Sequence, residues 1–339
     1  CEGLSGCTDH REHSDRRAGP LPMVPPRALQ RWNLHEATST QRASQDKISC
    51  RRRGQKAFLH SPQYGYSAVM GGADSSRYEI TEADLKRDKD EITEFWQTHF
   101  QRWPLQKYRK FYLNNPAGAA HCWIARDRHE QRIIATYAIF PRQISVGGNV
   151  LVAGICGDMG ADPVHRGHGV GRMLQLAAAE SSEQGEFAFL YGTANPISGK
   201  ILTRAGFRSL GHSIRMTRLL NSRPLFHRRR ALRFLALFGH LIDRLLIVRA
   251  REQEYAADES YELTQVEQCD ERFNHLDEAA RHHYQILGKR GAEFLNWRYA
   301  DDPQHRFYIL ALVSRSDQSV AGYVVYQVKN GIAHIEDLC

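Results

Sequence analysis

The sequence has no long hydrophobic run and no regular arrangement of cysteines. A membrane-spanning helix needs about 18 consecutive residues with few or no charges, and no stretch of the 339 residues provides them. The seven cysteines form no Cys-x-x-Cys pair, and the polar, charged residues at the N-terminus do not resemble a secretory signal peptide. We therefore expect a cytoplasmic protein whose thiols are free in a reducing compartment.

The basic residues are unevenly distributed. The net charge is +8 at pH 7, but its excess lies in residues 1–76 and 221–252, and the remainder of the chain is close to neutral. An enzyme that acts on nucleic acid usually presents a basic face near its active site, so we expect no nucleic-acid partner. With this length and 42% hydrophobic residues, the chain can form two globular domains.

The most informative segment is glycine-rich and runs from Arg166 to Arg172. It joins an apolar run at residues 150–161 to a helix-like run at 173–181. A glycine-rich turn between a strand and a helix exposes backbone N–H groups at the positive end of the helix dipole, where phosphate or pyrophosphate binds. The segment lacks the Gly-Lys-Ser/Thr end of a nucleoside-triphosphate loop. Taken alone, it fits a plain strand-to-helix connection about equally well.

The surrounding residues extend this pattern. Pro163 stands three residues before Arg166, and a second strand-like run at 190–195 ends at Asn195. A short helix at 198–204 follows and is closed by Ala205, Gly206 and Phe207. A Pro-x-x-Arg-x-x-Gly-x-Gly segment with a later Asn and a helix ending in Gly-Phe resembles the GCN5-related N-acetyltransferase (GNAT) superfamily.

The resemblance covers residues 77–220 and implies an α/β fold, with a mixed sheet flanked by helices. The pattern in this region agrees, because it predicts the order strand, helix, three strands, helix, strand, helix, strand. The resemblance also implies that acetyl-coenzyme A, or another acyl-coenzyme A, is the co-substrate and that no metal takes part. The residues implied to bind it are Met159, Gly160, Ala161, Arg166, Gly167, His168, Gly169, Val170, Gly171, Arg172 and Asn195.

In this family an amine attacks the thioester directly, and the protein manages the protons. Asp158, near the end of the fourth strand of the domain, is our candidate general base, although a solvated or salt-bridged aspartate is an equal alternative. Many relatives have a Tyr seven residues after the Asn, but Leu202 stands there, which puts the usual general acid in doubt. Tyr191 is a second candidate, with a core role as its alternative. For Cys156 we favour a buried, inert thiol over a nucleophile.

Two histidines, His165 and His168, flank the glycine-rich turn. They stand three residues apart, but no Cys, Asp or Glu accompanies them at the spacing of metal ligands. We therefore predict no metal site and interpret both side chains as exposed or in contact with phosphate.

Two segments outside this domain have an unusual composition. Residues 1–76 contain many prolines and little periodicity, so we predict that they are disordered, and a natural start at Met70 would make the residues before it non-native. Residues 221–255 resemble a basic amphipathic linker helix. Its part at 224–250 could contact an anionic membrane surface, although we favour a linker that packs between two domains.

Residues 256–339 show the element order of the first domain again. Strands are predicted at 261–266, 307–313, 320–328 and from 332, with helices at 271–284 and 294–299. This order resembles an incomplete second copy of the GNAT fold without its own glycine-rich motif. We expect that the copy is truncated at the end of the sequence.

The sequence thus favours an acyl-coenzyme A-dependent N-acyltransferase, most simply an acetyltransferase, that acts on a small-molecule or peptide amine. The alternative is a coenzyme A-binding module that has lost turnover, which the leucine in place of the usual Tyr would allow. Tandem copies of this fold that use aminoacyl-tRNA are a third possibility, but they typically lack the pyrophosphate motif seen here. The acceptor and the oligomeric state are not encoded in any motif, because acceptor loops vary freely on one fold.

Overall fold

The computed structural model describes residues 56–60, 76–100, 105–181, 185–212, 214–219, 241, 243–245 and 258–339. All of them belong to one compact unit, residues 53–339. Among the described residues, no helix has the length and apolar character that crossing a membrane requires.

The first group of elements builds a mixed sheet with helices on both faces. Its strands are β1 Lys56–His60, β2 Tyr78–Glu82, β3 His121–Asp127, β4 Ile133–Val146, β5 Asn149–Ala161, β6 Leu190–Ala194 and β7 Arg208–His212. Its helices are α1 Lys89–Phe100, α2 Leu105–Tyr108, a π-helix Arg109–Leu113, a 3-10 turn Pro163–His165, α3 Val170–Ser181 and α4 Pro196–Arg204.

The strand order in this sheet is β2-β3-β4-β5-β6-β1-β7. Strands β2, β3, β4 and β5 pair with one another in antiparallel succession, whereas β5 pairs with β6 in parallel. This arrangement confirms the predicted α/β fold with a mixed sheet.

Hydrophobic periodicity explains how the helices cover the two faces. In α1, Ile92, Phe95 and Trp96 are 0%, 4% and 5% exposed, because a spacing of three and four residues places them on one side of the helix. In α3, Val170 and Leu174 pack against the opposite face, together with Tyr137 and Ile139 of β4. Each large apolar side chain buried in this way stabilises the fold by about 1.5–3 kcal/mol.

The second group of elements forms a smaller antiparallel sheet. Its elements are β8 Tyr261–Val266, α5 Glu271–Arg281, β9 Ile286–Gly288, α6 Ala292–Leu295, a π-helix Asn296–Ala300, β10 Tyr308–Ser314, β11 Val320–Lys329 and β12 Ile332–Leu338. The strand order is β12-β11-β10-β8. Strand β9 leaves this sheet and pairs with Ile144 to Val146 at the end of β4, so the two groups share backbone hydrogen bonds.

Several boundaries differ from the sequence-based predictions. Strand β1 lies within residues 1–76, for which we predicted disorder; it pairs with β6 and β7, and the rest of that segment before residue 76 lies outside the described residues. Strand β9 was not predicted, because three residues are too few for a periodic pattern. Helix α5 ends at Arg281 rather than at residue 284. Apart from residues 241 and 243–245, the predicted linker helix and membrane-contact segment also lie outside the described part of the chain.

Candidate active site

The sheet opens where β5 and β6 separate. The two strands pair at Gly154 with Leu190 and at Ile155 with Tyr191, and their ladder ends there. On its other edge, β5 pairs with β4 through a register shift between Thr136 and Ala138. Asp158 lies in this bulge with a φ of 43°, a value that residues other than glycine adopt infrequently. The bulge turns the end of β5 away from β6 and creates a wedge-shaped opening between them.

A narrow cleft of about 140 Å³ occupies this opening. Its lining comes from β4, β5, α3, β6 and α4, namely Tyr137, Cys156, Gly157, Asp158, Met159, Gln175, Thr193, Ala194, Asn195, Ser198 and Leu202. One polar atom in this lining, Gln175 Oε1, is buried without a hydrogen-bond partner among the described residues, and the Tyr137 hydroxyl has only the weakly polar Cys156 thiol beside it. Unsatisfied buried polar atoms are uncommon in folded proteins, so the narrow cleft is suited to a ligand with polar groups.

The glycine-rich turn lies at the end of β5, beside this cleft. Asp162 accepts a hydrogen bond from the Val164 N–H at 3.0 Å and so starts the 3-10 turn. Gly167 and Gly169 have φ values of 87° and 80°, which explains why glycine is needed at both positions. Helix α3 begins at the next residue, Val170. The Arg172 and Met173 N–H groups donate to the Gly169 carbonyl at 3.0 and 3.1 Å, whereas the N–H groups of Val170 and Gly171 have no partner within the helix. The turn therefore offers several backbone donors at a positive helix end.

The other wall of the narrow cleft begins at Asn195. Its Oδ1 accepts hydrogen bonds from the N–H and the Oγ of Ser198, at 2.9 and 3.1 Å, and this contact caps α4. The helix ends at Arg204. Gly206 follows with a φ of 88°, and the Phe207 N–H donates to the Leu202 carbonyl at 3.1 Å. The Asn and Gly-Phe positions noted in the sequence are thus the two ends of one short helix.

Asp158 is held by two side chains from the opposite face of the sheet. Lys107 Nζ lies 3.3 Å from its Oδ1, and Tyr112 Oη donates to its Oδ2 at 3.3 Å. Burial raises the pKa of the Asp158 carboxyl above its usual range, and the Lys107 charge and the Tyr112 hydrogen bond partly offset that effect. Tyr112 is fully buried and stacks on Tyr108 at 4.6 Å, so its hydroxyl has a fixed position.

A second, larger cavity lies between the two groups of elements, and we call it the interlobe cavity. Its volume is about 600 Å³. Helix α2, the first π-helix, β4 and β5 line one side, and α5, α6 and the second π-helix line the other. Gly157 and Asp158 line both this cavity and the narrow cleft. The two cavities therefore meet at the Asp158 bulge.

Contacts between the two π-helices form one edge of the interlobe cavity. Lys110 Nζ lies 2.8 Å from Asp302 Oδ2 and donates to the Arg298 carbonyl at 3.1 Å. The Trp297 indole N–H donates to the Lys110 carbonyl at 3.2 Å. Both charged side chains of the ion pair are at least 90% buried. These contacts fix the second group of elements against the first.

Some of the predicted site residues lie elsewhere. Tyr191 lines neither cavity; burial raises the pKa of its phenol, with smaller opposing effects from Arg142 and Arg290. Its predicted role in proton transfer therefore has no support from the lining of either cavity. Cys156 does line the narrow cleft, but burial raises the pKa of its thiol to about 12. A thiol that remains protonated is a poor nucleophile.

The two histidines differ from each other. His168 is exposed, whereas His165 is 1% exposed and its Nδ1 lies 3.2 Å from Tyr78 Oη. We predicted exposure or phosphate contact for both, so the prediction for His165 was wrong. The fold also brings Asp127 and Glu130 to His165, with one oxygen or nitrogen of each within 4.8 Å of the others, although neither acid is near it in sequence. Arg77 pairs with Asp127 at 2.6 Å.

Sequence reasoning missed four residues of the site, namely Lys107, Tyr112, Tyr137 and Gln175. A partial signal exists for Tyr137, because it alternates with the opposite-facing Ala138 on a strand that we did predict. Gln175 is a polar residue on the apolar face of α3, which is a second usable signal. Lys107 and Tyr112 carry no local signal, since only the tertiary fold brings them to Asp158.

Comparisons with known proteins agree with this geometry. The family model described as an acetyltransferase (GNAT) domain matches residues 80–209. No curated protein matches the chain in sequence. A conserved protein of unknown function from Enterococcus faecalis V583, a probable N-acyltransferase, has a similar structure with a TM-score of 0.51 and 12% identity, over 77% of this chain and 57% of that chain.

Two further solved structures are similar over much of the chain. A GCN5-related N-acetyltransferase from Kribbella flavida gives a TM-score of 0.48 at 13% identity, over 78% of this chain and 58% of that one. The N-myristoyltransferase of Saccharomyces cerevisiae gives 0.44 at 9% identity, over 87% and 69%. This chain spans less than two thirds of the length of the first two proteins. Residues 80–209, which contain the wedge between β5 and β6, thus match the family model of a GNAT acetyltransferase domain.

Proposed function

We propose that this protein is an acyl-coenzyme A-dependent N-acyltransferase, most simply an N-acetyltransferase. The observation that carries the proposal is the meeting of two cavities at Gly157 and Asp158. A reaction between two substrates requires both to reach one point, and here the narrow cleft and the interlobe cavity do so beside a carboxylate. We assign the narrow cleft to the acyl donor and the interlobe cavity to the amine.

The residues around the narrow cleft fit an acyl-coenzyme A. The turn from Arg166 to Arg172 offers backbone N–H groups to the pyrophosphate at the start of α3. The opening between β5 and β6 leaves strand N–H groups near Met159 to Ala161 without ladder partners on that side, and these can donate to the thioester carbonyl. Gln175 and Tyr137 supply polar atoms deeper in the cleft.

Asp158 is the base in this proposal. The acceptor nitrogen forms a bond to the thioester carbon, the carbon–sulfur bond breaks, and the nitrogen loses a proton to the Asp158 carboxylate, directly or through one water. Lys107 and Tyr112 act as positioning residues, because their contacts at 3.3 Å hold the two carboxylate oxygens. The raised pKa of Asp158 makes it a stronger base than an exposed aspartate.

Tyr137 is the residue best placed to stabilise the leaving sulfur. Leu202 occupies the position at which many relatives have a Tyr, and it lines the same narrow cleft. Tyr137 is 2% exposed, and burial raises the pKa of its phenol well above its usual range. The hydroxyl therefore stays protonated at every working pH and can donate a hydrogen bond to the thiolate as it forms.

Calorimetric titration with acetyl-coenzyme A, followed by a free-thiol release assay over a panel of amines, tests the proposal. We expect binding, and release of the thiol with at least one amine. Binding without release on any amine would favour the alternative of a coenzyme A-binding module, for which the leucine at position 202 is the motivating observation. An absence of binding would contradict both functions.

A further inference from the structure

Arg142 projects into the interlobe cavity at a distance from Asp158. It lies on β4, on the same face as Ala138 and Phe140, because alternate residues of a strand share a face. Ala138 pairs with Gly157, and Arg142 pairs with Ala153. Arg142 therefore lies four positions along β4 from Ala138 at the edge of the bulge, about 13 Å between Cα atoms. Arg142, Gly157 and Asp158 all line the same cavity.

The Arg142 guanidinium has an aromatic partner but no acidic one. It lies over the Phe294 ring at 3.3 Å from the centroid, a stacking arrangement typical of the planar guanidinium group. Among the described residues, no carboxylate is within ion-pair distance of it and no hydrogen bond engages it. The nearby acid Asp337 is paired with Arg290 at 2.9 Å. Burial lowers the pKa of Arg142 to about 10, partly offset by Tyr191 and Asp337 and reinforced by the Arg290 charge.

Two other cations of the cavity are paired with acids. Lys107 is paired with Asp158, and Arg281 lies 3.5 Å from Asp277 and 3.4 Å from Glu278. Lys289 and Arg298 also line it and form no ion pair among the described residues, but the Arg298 guanidinium lies farther from its ring, at 5.1 Å. A partly buried guanidinium without an anion is costly, and its planar fork matches a carboxylate in a bidentate geometry. The acidic side chains of the cavity, such as Glu271 and Glu293, disfavour a highly charged anion. A single carboxylate satisfies both conditions.

We propose that Arg142 binds a carboxylate of the acceptor while the acceptor amine lies at Asp158. This inference rests on the proposed acyl transfer and adds a substrate class to it. The acceptor is an amine whose carboxylate lies several bonds away, as in an ω-amino acid or a short peptide. The separation along β4 favours an acceptor whose amine and carboxylate are several bonds apart over an α-amino acid, in which the two groups are close together.

Matched pairs of acceptors test the assignment. The thiol-release assay is run with 6-aminohexanoate and with its amide, which differ only in the anionic group, and with glycine as the short carboxylate. For the wild-type protein, kcat/KM should be roughly 10- to 100-fold higher for 6-aminohexanoate than for the amide, with glycine a poor substrate. In Arg142→Gln the preference should disappear because kcat/KM for 6-aminohexanoate falls, while kcat/KM for the amide is retained.

Arg298→Gln is the matched control. Arg298 also lines the cavity, and its guanidinium lies over the Phe111 ring at 5.1 Å, so its removal changes the cavity charge by the same amount. The preference for the carboxylate should survive in this variant. An equal loss in both variants, or an equal rate for the acid and the amide in the wild-type protein, would overturn the assignment.

Binding gives a readout that does not depend on turnover. Calorimetric titration of the acetyl-coenzyme A complex with hexanoate, which lacks the amine and cannot react, should show binding that Arg142→Gln removes and Arg298→Gln retains. If hexanoate binds in this way but no amine releases thiol, the proposed transfer fails and the carboxylate site stands. If amines are acetylated but hexanoate does not bind, the carboxylate site fails and the transfer stands.

Discussion

Residues 78–161 of the first domain and residues 261–338 share an order of elements, but only residues of the first domain line the narrow cleft. Both contain a strand, a helix, a short helix, a π-helix and then three antiparallel strands, and the orders β2-β3-β4-β5 and β8-β10-β11-β12 correspond. Four consecutive elements of the second group start 187 residues after their counterparts in the first. They are the short helices at 105 and 292, the π-helices at 109 and 296, and the strands at 121 and 308 and at 133 and 320.

The correspondence extends to single hydrogen bonds. Gln131 and Gln318, again 187 residues apart, both have a positive φ, of 53° and 58°. Three hydrogen bonds donated by backbone N–H groups also recur with this offset. The Asn114 N–H donates to the Arg109 carbonyl as Asp301 does to Asn296, and the Gln131 N–H donates to the Asp127 carbonyl as Gln318 does to Ser314. The Ala117 N–H donates to Asn115 Oδ1 as Gln304 does to Asp302 Oδ1. We propose on this basis that residues 256–339 are a partial second copy of the domain.

Equivalent residues of the two copies also contact each other. The Lys110 ammonium donates to the Arg298 carbonyl, and the Phe111 ring lies 5.4 Å from the Trp297 ring. Position 297 is the counterpart of 110, and 298 is the counterpart of 111, so each pair mirrors the other. Such reciprocal contacts are the mark of a two-fold arrangement.

The two groups contribute differently to the cavities. In the first, β5 runs into the glycine-rich turn and α3, and a parallel neighbour diverges from it, which creates the narrow cleft. Described residues of the second group line one side of the interlobe cavity.

The largest effect that separates the copies is expected at a positive-φ glycine. In Gly169→Val the φ of 80° becomes strained, at a cost of about 1–3 kcal/mol, and the glycine-rich turn, which binds the pyrophosphate in our proposal, loses its shape. Acetyl-coenzyme A affinity, measured by calorimetry, should fall by at least about 100-fold. Gly331→Val, which strains a φ of 73° in the second copy, should leave the affinity unchanged, and a comparable loss there would contradict the division of roles.

The next largest effect concerns the bulge that is shared by both cavities. Asp158→Asn should lower kcat by about 10²–10⁴-fold while acetyl-coenzyme A still binds. Because the carboxylate must be ionised to accept a proton, kcat/KM in the wild-type protein should rise with pH through the raised pKa of Asp158. Lys107→Met removes a charge that lowers this pKa, so the rise should move to higher pH. An unchanged profile would show that Asp158 is not the base.

A smaller effect is expected at Tyr137. Tyr137→Phe removes the hydroxyl that faces the leaving sulfur in our proposal, and kcat should fall about 10-fold, which corresponds to one hydrogen bond. Tyr191→Phe is the control, because Tyr191 lines neither cavity, and its kcat should change little. A larger fall in kcat for Tyr191→Phe than for Tyr137→Phe would instead support Tyr191 as the proton donor to the leaving sulfur.

The smallest effect concerns the contact between the copies. Asp302→Asn leaves the buried Lys110 charge without its partner at 2.8 Å, and we expect a loss of about 2–4 kcal/mol in the free energy of unfolding, measured in urea. The double variant Lys110→Met with Asp302→Asn should lose less than the sum of the two single variants. Additive losses would indicate that the pair does not couple the copies.

The sequence predicted most of this architecture because the relevant signals are local. Pro163 to Arg172 and Asn195 to Phe207 are turns and helix ends whose residue types are dictated by their own backbone, and alternation located the strands. Lys107 and Tyr112 are a different case, because they reach Asp158 from another part of the chain. Strand β9 was missed for a related reason, since its three residues gain their structure from pairing with β4. The correspondence between the copies was visible as an element order, but its individual hydrogen bonds were not.

The most direct test is release of free coenzyme A from acetyl-coenzyme A on addition of an amine, compared between the wild-type protein and Asp158→Asn at equal occupancy of the donor. We expect rapid release in the wild-type protein and a rate at least about 100-fold lower in the variant, with similar donor affinity in both. Equal rates in the two proteins would contradict the assignment of Asp158 at the junction of the two cavities as the centre of the reaction.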